Sequence, residues 1–342
     1  MAASLRVLRR RIKSTKNIAQ ITKAMEMVAA SRISKAQRRV EAARPYSDEF
    51  THVLTTAAKA GASDHPLLVA REEPARVGIL VVTSDRGLAG GYNAGVMREA
   101  ERVMREVRDG GKEPVLFVIG GKGETYFRFR GQEIAGSWTG FSEVPDYANA
   151  CHAADTMTAC FLAGGEENVQ RPSDDDSGEE SQGSSSGSSF VPPEDAEGLS
   201  GVDELHVVFT EFTSLASQTV KPVQIAPLQL DDESEESSDS DGESGGSGSG
   251  QGEERQAEYA FEPEPEVLFD RLMPKYIRAR VFAALLDAAA SESAARQRAM
   301  KAATDNANDL VDNLTRQSNQ ARQAQITQEI SEIVSGSDAL AQ

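Results

Sequence analysis

Between Ser4 and Lys59 the chain has no glycine and one proline, Pro45, and its apolar residues fall at Leu5, Leu8 and Ile12, then Ile18, Ile21, Met25 and Val28. Steps of three and four put such residues on one narrow stripe of an α-helix. At about 1.5 Å per residue the helix reaches roughly 65 to 85 Å, which a compact domain rarely encloses. The step from Ile12 to Ile18 breaks the heptad and predicts a weak or locally unwound seam. A second stretch of the same kind begins at Pro265. Glycine is absent from there to Gly336, which stands where a C-cap is expected, and the stripe runs Ile277, Val281, Leu285, Ala288, Ala295, Ala302, Leu310, Leu314, Ala321. Two such helices, separated by a central domain, can pair as an antiparallel coiled coil, with alanines allowing close approach. Small residues bury little per turn, so the pair is expected to be marginal alone and to be held by a surrounding partner.

The net charge of -18 is strongly segregated. Residues 166–204 hold twelve acidic residues against Arg171, and residues 231–266 hold fourteen against Arg255, so the two stretches carry -24 and leave the remainder at +6. The first 45 residues carry twelve Lys and Arg against Glu26 and Glu41, a net +10. Runs such as Ser173-Asp174-Asp175-Asp176-Ser177 and Gly245-Gly246-Ser247-Gly248 have little apolar surface to offset about 1 to 2 kcal/mol per residue of backbone ordering. Both stretches are read as disordered acidic insertions, whose solvated carboxylates suit a salt-rich cytoplasm.

The middle of the chain reads as α/β. Val77-Gly78-Ile79-Leu80-Val81-Val82 is a continuous apolar run suited to a buried parallel strand. A glycine-rich turn and a helix to about Val107 follow, then a strand at Val115-Leu116-Phe117-Val118-Ile119, a helix from Val144 to Leu162, and strands from Leu205 to Thr210 and Val220 to Leu230. The pattern is Rossmann-like in outline. The chain thus divides into an N-terminal coiled-coil helix (1–59), a central Rossmann-like domain (75–230) carrying the 166–204 insertion, an acidic low-complexity insertion (231–262) and a C-terminal coiled-coil helix (265–335).

Gly87-Leu88-Ala89-Gly90-Gly91 lies after a strand and before a helix, where backbone amides can cradle a phosphate. It is neither G-x-G-x-x-G nor a P-loop, and a turn needing backbone freedom is the favoured account; Gly120-Gly121-Lys122-Gly123 is placed alike and is an equally weak signal. Asp85 and Arg86 read as a site pair or as a strand-end cap. The four histidines, His52, His65, His152 and His206, lack metal-ligand spacing, G-x-S-x-G is absent, and the two cysteines, Cys151 and Cys160, make neither a disulfide framework nor a C-x-x-C site. No cofactor or metal is expected. No apolar run approaches the roughly 18 to 20 residues that cross a bilayer. The basic Arg6, Arg9, Arg10, Arg11, Lys13 and Lys16 also fit a transit peptide or a nucleic-acid arm, but neither explains why the helix pattern continues for 40 more residues.

Asn17-Ile18-Ala19-Gln20-Ile21-Thr22-Lys23-Ala24-Met25-Glu26-Met27-Val28-Ala29-Ala30-Ser31, with Arg44-Pro45-Tyr46, strongly resembles the N-terminal helix of gamma subunits of F-type ATP synthases. The resemblance recurs at Thr83 to Asn93, at Ile119 to Gly123, at Met300-Lys301-Ala302-Ala303-Thr304-Asp305-Asn306 and at Ala321 to Glu329, so that it covers all but the two insertions. It implies a non-catalytic central-stalk rotor whose helix pair turns inside a head of alternating alpha and beta subunits. The Rossmann-like domain would stand on a membrane ring of c subunits, with epsilon as a further partner and no nucleic acid. By resemblance Arg322, Gln323, Thr327 and Glu329 match a catch with beta-subunit loops, and Met25 and Arg296 match positions that influence coupling. The turn holding Arg86, Gly87 and Ala89 lies where the family meets the moving part of beta. Resemblance also implies a bacterial protein at the cytoplasmic face of the inner membrane, attached only through its complex. The second insertion falls where chloroplast relatives carry a regulatory dithiol, but it has no cysteine, so no thiol switch is expected. A nucleotide-binding α/β enzyme with helical arms and a non-rotating coiled-coil scaffold remain as alternatives.

Overall fold

The computed structural model describes residues 2–59, 67–69, 71, 73–165, 167–170, 190–228 and 265–340. Helix α1 spans Ala2–Lys59, strand β1 Arg76–Val82, helix α2 Tyr92–Asp109, strand β2 Glu113–Ile119 and helix α3 Gly121–Phe129. Strand β3 follows at Gly136–Trp138, helix α4 at Tyr147–Ala163, a 3-10 turn at Glu194–Ala196, strands β4 and β5 at Glu204–Phe212 and Gln218–Ala226, and helix α5 at Pro265–Leu340.

The strands form one sheet in the order β3-β2-β1-β4-β5, parallel except for β5, which runs antiparallel to β4. β1 lies at the centre and is buried and free of polar side chains from Val77 onward because both faces of the sheet are covered. Leu80, Val82, Phe117, Ile119, Leu205 and Val207 face a core shared with Met157 of α4, Ile277 and Val281 of α5, and Leu54 of α1. The alternate residues Val77, Ile79, Val81, Leu116, Val118 and Val208 face Val96, Ala100, Val103 and Met104 of α2 and Phe127 of α3. Each such side chain stabilises the domain by about 1.5 to 3 kcal/mol relative to leaving it exposed. β3 was not expected from the sequence: its three residues, Gly-Ser-Trp, are too few to show a period. β5 ends at Ala226, four residues short of the expected Leu230.

The reading of residues 166–204 as one disordered insertion is corrected at both ends. Val169, Ala196 and Val202 are buried in the core, and Asn168 bridges to Ser200. Asp203 accepts hydrogen bonds from the amides of Ala75 (2.8 Å), Arg76 (3.0 Å) and Gly165 (2.9 Å) and from the Arg71 guanidinium (2.6 Å). Four donors hold this carboxylate ionised and fix the start of β4, with its acidity increased despite burial. The middle of that stretch, and all of 231–262, lie outside the described residues.

The helix seam is also corrected. Ile18, Ile21 and Val28 are exposed on α1, whereas Leu5, Ala19, Ala29 and Ile33 are buried and Leu8, Ile12, Thr15, Thr22 and Glu26 are partly buried. Steps of three and four therefore run unbroken through the small residues Thr15, Ala19 and Thr22, and the heptad does not break at Ile12. On α5, Ala302 and Leu310 are exposed, and Met300, Thr304, Ala307 and Leu314 carry the buried stripe with Val311 beside it. The Thr304 hydroxyl lies 2.7 Å from that of Thr22, which fixes the antiparallel register. Two backbones approach closely only where side chains are short, so Ile18, Ile21 and Val28 are left outside along the Thr15 to Ala29 stretch. Gly336 does not end α5, which continues to Leu340. Ala29→Leu should lower the stability of the isolated chain by about 1 to 3 kcal/mol through overpacking, while Ile18→Ala and Ile21→Ala change it by less than about 0.5 kcal/mol. Urea denaturation decides it: costlier isoleucine variants would disprove this register.

Candidate functional site

The turn after β1 is stitched by its own side chains. The Thr83 hydroxyl donates to the Ile119 carbonyl (2.9 Å) and accepts from the Gly123 amide (2.9 Å), tying the ends of β1 and β2 together. Ser84 donates from its amide to Asn93 Oδ1 (2.9 Å) and from its hydroxyl to the Arg86 carbonyl (2.7 Å). Asp85 is a cap: its carboxylate accepts from the Gly121 amide (3.1 Å) and the Ser142 amide (2.9 Å), while its own amide donates to Ser142 Oγ (2.9 Å). The N-terminus of α3, where an anion would sit on Gly120-Gly121-Lys122-Gly123, thus holds the protein's own carboxylate.

Arg296, on α5, is the residue on which the turn closes. One guanidinium nitrogen donates to Glu292 (2.7 Å) and to the carbonyls of Arg86 and Gly87 (3.3 Å each). The other forms an ion pair with Glu143 at 3.3 Å, and Glu143 also pairs with Arg32 of α1. Arg296 and Glu292 are buried, with side chains 7% and 1% exposed. Burial pushes the Glu292 carboxyl above the usual carboxylate range, and the Arg296 charge opposes that shift. Past these carbonyls the turn presents Leu88, 60% exposed in the left-handed region at φ 64°, while Ala89 is buried and Gly90 packs over Ala295 and Ala299. A cavity of about 440 Å³ lies beneath, between Gly91, Tyr92, Thr210 and Arg298. Arg298 is engaged there with the carbonyls of Leu215 (3.0 Å) and Ala216 (2.8 Å).

Of the residues singled out from the sequence, Arg86, Gly87, Ala89 and Arg296 therefore come together. Met25 is half-buried on α1, one turn beyond Thr22. Arg322, Gln323, Thr327 and Glu329 are exposed on the far part of α5, with about 46 Å of helix between residues 296 and 327. There Glu329 accepts from Gln325 (2.9 Å), and Arg322 and Glu329 line a cleft of about 420 Å³ with Leu5, Arg6 and Arg9 of α1. Sequence reasoning missed Arg32, Glu143 and Glu292. The i,i+4 spacing of Glu292 and Arg296 inside an alanine-rich run was a usable signal; Glu143, in a loop, had none.

Cys151 and Cys160 lie nine residues apart on α4, about 13.5 Å of rise, too far to bridge within the helix. Burial pushes the Cys160 thiol up to about 12 and raises that of Cys151 as well. Neither is a ready nucleophile at neutral pH.

The fold is thus an α/β body gripping a long antiparallel helix pair, with arginines capping backbone carbonyls where the two meet. The sequence model of the family described as ATP synthase matches residues 4–340. The ATP synthase gamma chain of Mycolicibacterium vanbaalenii is 52% identical over 341 residues, covering 100% of this chain and 99% of that one. That of Saccharopolyspora erythraea is 50% identical over 338 residues, covering 99% and 98%. The chain belongs to the family of ATP synthase gamma chains. It shares its fold with a chain of the Euglena gracilis mitochondrial ATP synthase (TM-score 0.59, 14% identity, 99% of this chain and 95% of that one). A central-stalk chain from Tetrahymena thermophila is similar at TM-score 0.53 and 18% identity, over 83% of this chain and 99% of that one. Family membership makes this chain a gamma chain of the ATP synthase, one subunit of that complex.

Proposed function

We propose that this chain transmits rotation between a membrane ring of c subunits, on which its α/β domain stands with epsilon, and a head of alternating alpha and beta subunits that encloses its helix pair. The observation that carries the reading is α5, 76 residues and about 114 Å long, which from Met300 to Ile333 is buried only along its seam with α1. Outward from that seam stand Ile18, Ile21, Val28, Leu310, Ile326, Ile330 and Ile333, each about half exposed or more. Apolar surface of this extent on a slender pair suits an enclosing partner. Arg6, Arg9, Arg10, Arg11, Lys13 and Lys16 are all exposed near one end of the pair, which suits acidic surfaces of beta.

In this reading Arg322, Gln323, Thr327 and Glu329 make breakable hydrogen bonds with beta-subunit loops, Met25 and Arg296 influence coupling, and the turn holding Arg86, Gly87 and Ala89 meets the moving carboxyl-terminal part of beta. Different faces of an asymmetric shaft favour different conformations of the three catalytic sites, which requires differential contacts with each. The subunit would lie peripherally at the cytoplasmic face of the bacterial plasma membrane, held there by the complex; among the described residues no helix is long and apolar enough to cross a membrane. ATP hydrolysis should be absent from the chain alone, weak in cognate alpha plus beta, and strongly stimulated when all three are mixed. Turnover by the chain alone would restore the nucleotide-binding enzyme with helical arms.

A further inference from the structure

Both helices of the shaft are tied to the α/β domain through one carboxylate. Glu143, in the loop between β3 and α4, is 15% exposed, and its two oxygens are divided between two arginines on two helices. Oε1 lies 3.3 Å from Arg296 Nη1 on α5, and Oε2 pairs with Arg32 Nη1 on α1. Arg296 is held in turn by Glu292 and by the carbonyls of Arg86 and Gly87. Among the described residues, Arg32–Glu143 is the ion pair that joins α1 to the α/β domain. Around Arg32, α1 otherwise buries two apolar side chains, the small Ala29 and the larger Ile33. Small apolar side chains set the distance between two helices well but resist their sliding and turning weakly, because dispersion contacts are shallow and non-directional. The two pairs of Glu143 are ion pairs, Arg296 Nη1 making no hydrogen bond and Arg32 being 36% exposed, and pulling either arginine away leaves the poorly solvated carboxylate short of a counter-charge.

We propose that Glu143 is a positioning residue that locks the two shaft helices against torsion relative to the α/β domain, so that rotation passes between them with little elastic lag. The proposal rests on the rotor reading above. It places the stiffness of the joint in one bridging side chain rather than in the general packing of α5 on the sheet.

The test is the assembled head containing the full-length chain, immobilised through beta, with a bead attached to the α/β domain and its angular spread recorded during catalytic dwells. Torsional stiffness is inversely proportional to the variance of that angle. Glu143→Gln keeps the shape and removes the charge; it should widen the variance about twofold, with Arg32→Gln having a smaller effect of the same sign. The double variant should match Glu143→Gln, because Arg32 acts through the residue already changed. Thermal unfolding of each full-length variant is measured alongside. A lowered midpoint with unchanged variance in both single variants means a merely structural pair and overturns the lock, while leaving the rotor reading intact. A wild-type assembly that hydrolyses ATP without turning the bead overturns the rotor reading, and the lock with it.

Discussion

Gly120→Ala is expected to abolish the folded α/β domain, read as loss of the cooperative thermal transition of the full chain. Gly120 links the end of β2 to the start of α3 at φ 101°, and a Cβ there would lie 2.2 Å from the Thr83 carbonyl oxygen and 2.7 Å from its hydroxyl. Neither neighbour can retreat. The Thr83 amide and hydroxyl both donate to Ile119, and the Gly120 amide donates to the Trp138 carbonyl at 2.8 Å, so any shift breaks bonds to three strands. Backbone strain and forced displacement together cost about 4 kcal/mol or more, a large fraction of an ordinary domain's stability. Gly131→Ala is the control: φ is 68° but nothing lies within 4 Å of its Cβ, so only strain of about 1 kcal/mol is expected. Equal losses in the two variants would show that the close approach to Thr83 is unimportant.

Arg296→Met should cost about 3 to 5 kcal/mol at pH 8, because it leaves Glu292 buried without its counter-charge, and distinctly less at pH 5. The sign follows from the raised pKa of Glu292. In the folded chain this carboxyl holds its proton more tightly than in the unfolded chain, burial being the main cause. Its contribution to stability is therefore fully present below the unfolded value and is lost as pH rises through the folded one. Arg296 lowers the folded value, so removing it raises that value further and deepens the loss at high pH. Glu292→Gln added to Arg296→Met should recover most of the loss at pH 8 and little at pH 5. Urea denaturation at both pH values checks this, and equal destabilisation at the two would refute the electrostatic account.

The large-scale architecture was legible because it rests on large signals. Fifty-odd residues without glycine make a helix, and an unbroken apolar run such as Val77 to Val82 makes a strand covered on both faces. The seam was not legible in detail. Ile18 and Ile21 drew the reading because they are apolar, yet close packing of two helices selects the short Thr15, Ala19 and Thr22, which carry little hydropathy. Composition likewise hid the ordered ends of the first acidic stretch, where Val169, Ala196 and Val202 are single apolar residues among carboxylates. At the site, the turn was readable from its glycines and Arg296 was singled out by the family resemblance, and the two meet in the structure, but Glu143 reaches its partners only through tertiary structure. Its pair with Arg32 spans 111 positions, and no local pattern reports such a contact.

The bond between Thr22 and Thr304 also has a meaning for synthesis, since its two residues are 282 positions apart. At about 5 to 20 residues per second, α1 leaves the ribosome some 15 to 60 s before its pairing surface on α5 exists. During that interval an ordinary leucine zipper would offer a long adhesive stripe to every other nascent chain. Between Ile12 and Ile33 the seam offers mainly Thr15, Ala19, Thr22 and Ala29, which give little to adhere to, and the surrounding arginines and lysines repel other copies of the same helix. The same short side chains that let the finished shaft be slender thus keep its first half solitary until the second half arrives.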